Sequence, residues 1–288
     1  MHTSRISLIL AATFALILSA PSATAQNLEL GVKAGAAAYS GDLSPSQFGI
    51  FFEDANFSGG VYLRYRPTTR FGLRINGNFG RLTGDKDQVL RDENNGRRPV
   101  NLSFQTSYSE FNLLGEFDLF YIGDPESNFL APYVYGGVGV FSFNPKAPDR
   151  DGNLVEVQPL RTEGQGLDNT RYAPAPYELT RVVGIVGGGV RVRFAERFVV
   201  GLELGGRVTG TDYIDDIGNT QVNYGDILRS DNGSTAAFFS NPAVQNPAEA
   251  GDFEYTRGGE FKDYYFIGGI TFGITLGEGG RGKGCYSF

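Results

Sequence analysis

The residues best placed for acid–base chemistry are Asp212, Asp215 and Asp216, which lie together in the segment TDYIDD. Two neighbouring carboxylates can act as general acid and general base when their surroundings push their pKa values apart. Acidic residues at the start of a long connection, however, are more often solvated turn formers or surface that tolerates cations. We therefore expect these aspartates to be solvated and assign them no catalytic role.

One segment weakly resembles a metal site. Residues 149–153, DRDGN, offer carboxylate and amide oxygens, but the glycine comes too early for the spacing of an EF-hand calcium loop. A turn around Gly152 and Asn153 is the better interpretation. We expect no catalytic residue, no metal and no cofactor.

Histidine and cysteine contribute almost no chemistry to the exported chain. The only histidine is His2, within a predicted leader, and the only cysteine is Cys285. Proton transfer near neutral pH generally uses histidine, so we expect the protein not to be an enzyme. A single cysteine cannot form an internal disulfide, and a free thiol near the terminus is expected.

The first 25 residues have the form of a signal peptide. Arg5 precedes the uncharged run 6–20, and Ala23-Thr24-Ala25 has the small-x-small pattern of a cleavage site. The run is shorter than the ~20 residues that span a bilayer, so we predict cleavage after Ala25 and no anchor. The predicted organisation is a signal peptide at 1–25, a barrel at 26–276 and a short periplasmic tail at 277–288. The formal charge of −7 makes nucleic acid a poor partner.

The segment 180–211 alternates with a period of two. Val190, Val192 and Phe194 share one parity, whereas Arg191 and Arg193 occupy the other. After residues 195–197 the alternation resumes over 198–211. One uncharged face and one charged face, held over more than ten residues, are typical of a transmembrane β-hairpin.

Similar alternation predicts eight strands, at 28–39, 56–66, 70–82, 106–121, 131–143, 180–194, 198–211 and 262–276. Short connections follow the second, fourth and sixth segments, and the remaining four, 40–55, 83–105, 144–178 and 213–261, are long. Outer-membrane barrels have this asymmetry, with both termini in the periplasm. We predict an all-β fold, a closed eight-stranded antiparallel transmembrane β-barrel with short periplasmic turns and long extracellular loops, surrounded by outer-membrane lipid. The rival architecture is a soluble barrel or sandwich, whose apolar face would point inward.

The predicted inward parity carries charges of both signs. Because eight strands enclose a space that side chains can fill, and buried charges are tolerated when paired, we predict a plugged lumen without a solute pore. The predicted ion-pair network, to which Glu29 also contributes a carboxylate, consists of Lys33, Arg64, Arg66, Arg74, Glu110, Glu116, Asp118, Arg181, Arg191, Arg193, Glu203 and Arg207. Two outward assignments are notable: Arg81, tolerable only near an interface, and Tyr121 at the end of its segment.

Five blocks of sequence together resemble a known family: YSGDL at 39–43, APYVYGGVGVF at 131–141, FNPKA at 143–147, VQPLRTEGQG at 157–166 and TDYIDD at 211–216. They are similar to the PorG-like outer-membrane barrel family of Bacteroidota, whose named members belong to the type IX secretion system. The resemblance implies a non-enzymatic component of the export machinery that acts with periplasmic ring proteins or lipoproteins. The alternative is a surface-exposed barrel of adhesin or ligand-binding type with no role in secretion, because a shared barrel does not fix function.

Overall fold

The computed structural model describes residues 28–45, 54–92, 94, 96–260 and 262–276. The predicted signal peptide, the predicted tail and Cys285 lie outside these residues. The described residues contain twelve strands: β1 Leu28–Ser40, β2 Asn56–Tyr65, β3 Phe71–Arg91, β4 Arg97–Asp118, β5 Ile122–Gly123, β6 Phe129–Pro148, β7 Leu154–Glu156, β8 Thr180–Phe194, β9 Phe198–Val208, β10 Gln221–Asn223, β11 Glu254–Thr256 and β12 Tyr264–Leu276.

The eight long strands form a closed antiparallel ring. Its order is β1, β2, β3, β4, β6, β8, β9 and β12, and β12 pairs again with β1. The pairing of β4 with β6 places Phe111 opposite Val140, and the pairing of β1 with β12 places Val32 opposite Phe272. The predicted fold class, an eight-stranded antiparallel barrel, is confirmed.

The barrel is apolar outside and charged inside. On β9, Leu202 and Val208 are 64% and 66% exposed, whereas Glu203 and Arg207 between them are 4% and 2% exposed. The apolar face of β9 is about 33 Å long at ~3.3 Å per residue, or about 25 Å along the axis of a barrel with strands tilted by ~40°. This matches the apolar belt of an outer-membrane barrel, whereas a soluble barrel has the opposite polarity. The soluble alternative is therefore rejected.

The short connections lie at one rim of the barrel and the long ones at the other. Leu28 pairs with Leu276 at the short-turn rim, where the chain enters and leaves the barrel. The turn between β8 and β9 consists of Ala195, Glu196 and Arg197, and Phe194 pairs with Phe198 across it. Ala195 and Glu196 have φ of 49° and 60°, which turns the chain tightly at some conformational cost.

Two sequence predictions about β3 and β4 are wrong. The predicted connection 83–105 is largely strand, since β3 and β4 stay paired as far as Arg91 and Arg97. Residues 82–91 and 97–105 extend the β3–β4 pairing beyond the barrel and are here called the arm. Their inward apolar side chains, such as Leu90 and Leu102, are buried, and this burial stabilises the extension. In addition, β4 ends at Asp118, and Tyr121 does not continue its outward face.

The long connections 149–179 and 209–263 fold together into a cap over the other rim. The cap contains a 3-10 helix at Gln158–Leu160, helix α1 at Tyr224–Leu228, helix α2 at Gly233–Ser240 and the two-stranded antiparallel sheet of β10 and β11. Asn223 caps α1 by accepting a hydrogen bond from the Asp226 amide at 3.1 Å. The cap has its own apolar core of Val222, Tyr224, Ile227, Ala236, Ala237, Val244 and Tyr255.

The helices of the cap are short. Within the part of the chain that the structure describes, no helix is both long and apolar enough to cross a bilayer.

Candidate functional site

The lumen of the barrel is organised around Glu116, an inward residue of β4. Its Oε1 lies 2.8 Å from Nε of Arg74, and its Oε2 lies 2.8 Å from Nε of Arg64 and 2.6 Å from Nη1 of Arg191. The arginines come from β3, β2 and β8. Arg74 is a diagonal neighbour of Glu116 in the β3–β4 pairing, whereas Arg64 and Arg191 reach the carboxylate because the sheet curls into a ring.

Glu203 on β9 forms a second centre. Its Oε2 lies 2.7 Å from Nη1 of Arg74 and accepts a hydrogen bond from the Tyr133 hydroxyl at 2.9 Å. Its Oε1 lies 2.5 Å from Nζ of Lys33. Glu29 completes this level of the lumen by pairing with Arg64 and accepting a hydrogen bond from the Tyr62 hydroxyl at 2.7 Å.

The short-turn end of the lumen is closed by Asp118. This carboxylate pairs with Arg191 and lies 2.7 Å from Nη2 of Arg66. The Tyr121 hydroxyl donates to the same carboxylate, so the tyrosine folds over the end of the lumen instead of facing lipid. The reason is that the strand has already ended, which frees the side chain to satisfy a buried acceptor.

Glu110 and Arg207 form the level nearest the cap. Arg207 Nε lies 3.3 Å from Glu110 Oε2. The same carboxylate accepts hydrogen bonds from Asn78 at 2.7 Å, from Asn112 at 2.6 Å and from the Tyr265 hydroxyl at 2.5 Å. Several neutral donors therefore supplement one cation, as buried carboxylates require.

The structure brings most of the predicted network together, but it places two arginines elsewhere. Ten of the predicted residues, together with Glu29, make the contacts described above and are called the lumen network. The ten are Lys33, Arg64, Arg66, Arg74, Glu110, Glu116, Asp118, Arg191, Glu203 and Arg207. Arg181 lies 3.8 Å from Glu178 at the cap rim, with its side chain 37% exposed. Arg193 lies at the short-turn rim and donates to the Glu196 carbonyl and to Oγ1 of Thr275. Both have inward parity but sit at the ends of β8.

The sequence prediction missed the neutral members of the network. Tyr62, Tyr133 and Tyr265 donate to its carboxylates, and Asn78 and Asn112 do the same. Their inward parity was a usable signal for most of them. A hydroxyl or amide at an inward position is a hydrogen-bond donor to the lumen alongside the arginines.

The lumen is filled across its width. Arg64, Arg74 and Arg191 are 1%, 0% and 1% exposed, so solvent does not reach the lumen at their level. Towards the cap, the polar filling gives way to an aromatic layer, in which Phe141 lies 4.8 Å from Tyr265 and 5.9 Å from Tyr108 between ring centroids. The described lumen is thus a packed interior and not a channel.

Asp215 and Asp216 at the entrance to the cap are not solvated, contrary to the sequence prediction, whereas Asp212 is half-buried. Asp215 and Asp216 are 3% and 2% exposed. The Tyr39 hydroxyl lies 2.7 Å from Oδ2 of Asp215 and 2.8 Å from Oδ1 of Asp263. Because a hydroxyl carries one hydrogen, the second of these contacts needs a proton from a carboxyl. The cap folds back over its own entrance, which periodicity cannot reveal.

The electrostatics of the cap follow from this burial. Burial raises the pKa of Asp215 and of Asp263 well above the ordinary value of 3.8, and each is raised further by neighbouring carboxylates. Burial raises the pKa of Glu163 to about 7, although Arg257 opposes the shift. Asp216 is also raised by burial and opposed by Arg257, whose Nη1 lies 3.4 Å from its Oδ2. Burial in the cap therefore favours the protonated forms of these carboxyls.

Neither region has the geometry of a metal site. In the described ranges, no three residues among His, Cys, Asp and Glu are arranged to hold a metal ion. Residues 149–153 form a turn, as expected: the Gly152 amide donates to the Asp149 carbonyl at 3.1 Å, and Gly152 has φ of 83°. The lumen network holds the barrel rigid and sealed, and the barrel displays the cap at one rim and the turns at the other.

The chain is similar to several solved barrel structures at low identity. The outer membrane protein OprG from Pseudomonas aeruginosa is 11% identical, with a TM-score of 0.40 over 88% of this chain and 98% of that chain. Neisserial surface protein A (NspA) is 10% identical, with a TM-score of 0.39 over 87% and 97%. The N-terminal β-barrel domain of Pseudomonas aeruginosa OprF is 13% identical, with a TM-score of 0.35 over 86% and 97%.

Comparison with sequence families gives a match, whereas comparison with curated proteins does not. No curated protein matches the chain. The sequence model of one family, described as "Domain of unknown function (DUF6089)", matches residues 7–158. This range covers more than half of the sequence and includes the first four barrel strands and β6. The chain belongs to the DUF6089 family.

Proposed function

We propose that the protein is a non-enzymatic outer-membrane β-barrel that serves as a structural component of the type IX protein secretion machinery. The observation that carries this proposal is the sealed lumen, because a barrel plugged by Arg64, Arg74, Arg191 and Glu116 cannot pass solutes and must act through its rims. The similarity of the five sequence blocks to the PorG-like family supports the assignment to secretion.

The short-turn rim is the surface proposed to meet the secretion machinery. In the proposed orientation, this rim faces the periplasm, with both ends of the barrel chain, and the cap faces outward. Glu196 and Arg197 are exposed at the tip of the β8–β9 turn. Periplasmic ring proteins or lipoproteins are the proposed partners of this rim and of the tail 277–288.

Deletion of the gene tests the proposal. Export of cargo proteins into the medium should stop, and capture of the detergent-extracted protein should recover periplasmic partners. Reversal of the turn charges, Glu196→Lys with Arg197→Glu, should weaken capture of these partners, whereas Glu249→Lys on the exposed surface of the cap should not. Normal secretion in the deletion strain would reject the role in secretion while leaving the barrel assignment intact.

A second candidate function is a surface barrel whose cap binds a ligand or a neighbouring cell. The observation that favours it is the cap's own core around Tyr224 and Ile227, which gives the loops a defined shape. Trimming residues 144–178 or 213–261 should then abolish surface binding while secretion continues. Heat-modifiable migration in gels serves as the control that the trimmed barrel still folds. Unchanged surface binding in both trimmed variants would reject this function.

A further inference from the structure

Arg81 is a charged residue on the outside of the barrel. It belongs to β3 and lies opposite Ser107 of β4, one step beyond Gly80, the last residue of β3 that pairs with β2. Its side chain is exposed, and in the described part of the protein it forms no hydrogen bond or ion pair. Among the described residues, this guanidinium therefore has no counter-charge, unlike the buried arginines of the lumen network.

The position of Arg81 coincides with the edge of the apolar belt. Phe79, two residues earlier on the same face, is 56% exposed, and Phe57 on the neighbouring strand is 63% exposed. The outward residues of β4 beside Arg81 are Ser107 and Ser109, which are exposed hydroxyls. The outer face therefore changes at this height from aromatic to polar, at the level where lipid headgroups begin.

A surface groove lies at the same place. It has a volume of about 520 Å³, and its walls include Phe57, Phe79, Arg81 and Ser107. The two phenylalanine rings are 6.3 Å apart between centroids and tilted by 56°, so they present a continuous apolar wall below the guanidinium. The groove is thus apolar at one end and cationic at the other.

We propose that this groove binds a membrane lipid that carries a phosphate group. The phosphate accepts hydrogen bonds from the Arg81 guanidinium and from the Ser107 hydroxyl, and an acyl chain lies along Phe57 and Phe79. Arginine suits this role because its planar group donates two parallel hydrogen bonds to phosphate oxygens and is always charged. The lipid supplies a counter-charge that the described residues do not provide at this position.

A lipid fits these features better than a soluble anion. Beyond Thr83, the outward residues of β3 are Asp85 and Asp87, both exposed, so the surface above the groove repels anions that approach from water. A lipid headgroup reaches Arg81 from the membrane side and keeps its chain on the aromatic wall. The inference does not depend on the proposed role in secretion.

The test measures lipid retention by the full barrel in nanodiscs of phosphatidylcholine that contain a minor fraction of phosphatidic acid. Native mass spectrometry then counts the lipids released with the protein. Wild type should retain phosphatidic acid, and Arg81→Gln should lower this retention about tenfold, the effect of losing one charge-assisted contact. Arg70→Gln is the matched control, because Arg70 is exposed beside the other end of β3, and it should retain the lipid as wild type does.

Further arms separate the possible sources of the phosphate. Diacylglycerol with the same chains should not be retained, and Phe57→Ala should weaken retention of phosphatidic acid. Added inorganic phosphate should not displace the lipid. Equal retention by wild type and Arg81→Gln would overturn the proposal, as would equal retention of diacylglycerol or displacement by inorganic phosphate. Circular dichroism of each variant confirms that the barrel is folded.

Discussion

Arg74 on β3 contacts Glu203 on β9 across the full diameter of the barrel, with 2.7 Å between Nη1 and Oε2. In the ring order, four steps separate these strands in either direction, so the pair joins opposite walls. Both side chains are almost completely buried, at 0% and 2% exposure. Because a buried charge is strongly penalised when its partner is lost, this contact ties the two walls to each other.

Removal of Glu203 should destabilise the barrel strongly. Glu203→Ala leaves the charges of Lys33 and Arg74 buried and partly unpaired, which costs about 3–5 kcal/mol. Denaturant unfolding in lipid vesicles measures the loss in the free energy of unfolding. The control is Glu178→Ala, which removes a surface pair whose carboxylate side chain is 79% exposed, and it should change stability by about 0.5 kcal/mol or less.

A triple variant distinguishes the loss of packing from the cost of leaving buried charges unpaired. Lys33→Met, Arg74→Met and Glu203→Met together remove these three charges and keep much of the volume, and Glu116 still pairs with Arg64 and Arg191, so most of the stability should return. If the triple variant is as unstable as Glu203→Ala, packing rather than unpaired charge accounts for the loss.

The sealed lumen predicts an absence of conductance. Purified protein in planar bilayers should show no large stable current steps, since Arg64, Arg74 and Arg191 leave no path for solvent at their level. A large porin reconstituted in the same bilayers provides the positive control. Porin-sized steps from the pure protein would contradict the packed lumen.

The glycines of β8 divide into crowded and open positions. A Cβ at Gly187 would lie 2.4 Å from Cζ of Tyr135 and 2.6 Å from the Leu204 carbonyl oxygen, whereas a Cβ at Gly184 meets nothing within 4 Å. Gly187→Ala should therefore destabilise the barrel by about 1–3 kcal/mol, the usual cost of overpacking. Gly184→Ala, on the same strand, is the control and should be nearly neutral in the same denaturant titration. Equal losses would show that β8 tolerates no side chain at either position.

The barrel could be predicted from the sequence because its determinant is local. Alternation assigns each residue of a strand to the inside or the outside, and the Val190 and Arg191 faces of β8 follow from it directly. Parity does not give height along the barrel axis, however. Arg181 and Arg191 share a parity, yet Arg191 lies in the lumen and Arg181 pairs with Glu178 at the rim.

The cap and the arm could not be predicted in this way, because their structure depends on distant contacts. The segment predicted as the loop 83–105 is largely strand. Its residues Leu90 and Leu102 pack in the same apolar cluster as Tyr39 and Ile217, and these contacts stabilise the strands there. Asp215 was expected in solvent, but it meets Tyr39, a residue 176 positions earlier in the chain. Local sequence propensity correctly predicts turns in the cap segments, but it does not predict which distant residues pack over them.

The stability of the cap should fall as pH rises. Glu163, Asp215 and Asp263 have raised pKa values in the folded cap, so folding holds protons that the unfolded chain releases above its ordinary pKa values of 4.5 and 3.8. Their contribution is complete at pH values below those ordinary values, and that of Glu163 is lost as pH rises through about 7, its folded pKa. Near-ultraviolet circular dichroism of the stacked Tyr177 and Tyr213 rings, 4.6 Å apart, should give a lower melting temperature at pH 8 than at pH 5.

Glu163→Gln isolates the contribution of the Glu163 carboxyl near neutral pH. The amide oxygen can still accept the hydrogen bond that the Gly218 amide donates at 2.8 Å, and the amide nitrogen can donate to Tyr213, but no charge appears at high pH. The variant should therefore melt with a weaker dependence on pH between 5 and 8. Glu249→Gln, exposed on the same cap, should retain the full dependence. If Glu163→Gln keeps the full slope, the protons lost on unfolding belong to the Asp215–Asp263 pair, whose substitution by asparagine then has to remove it.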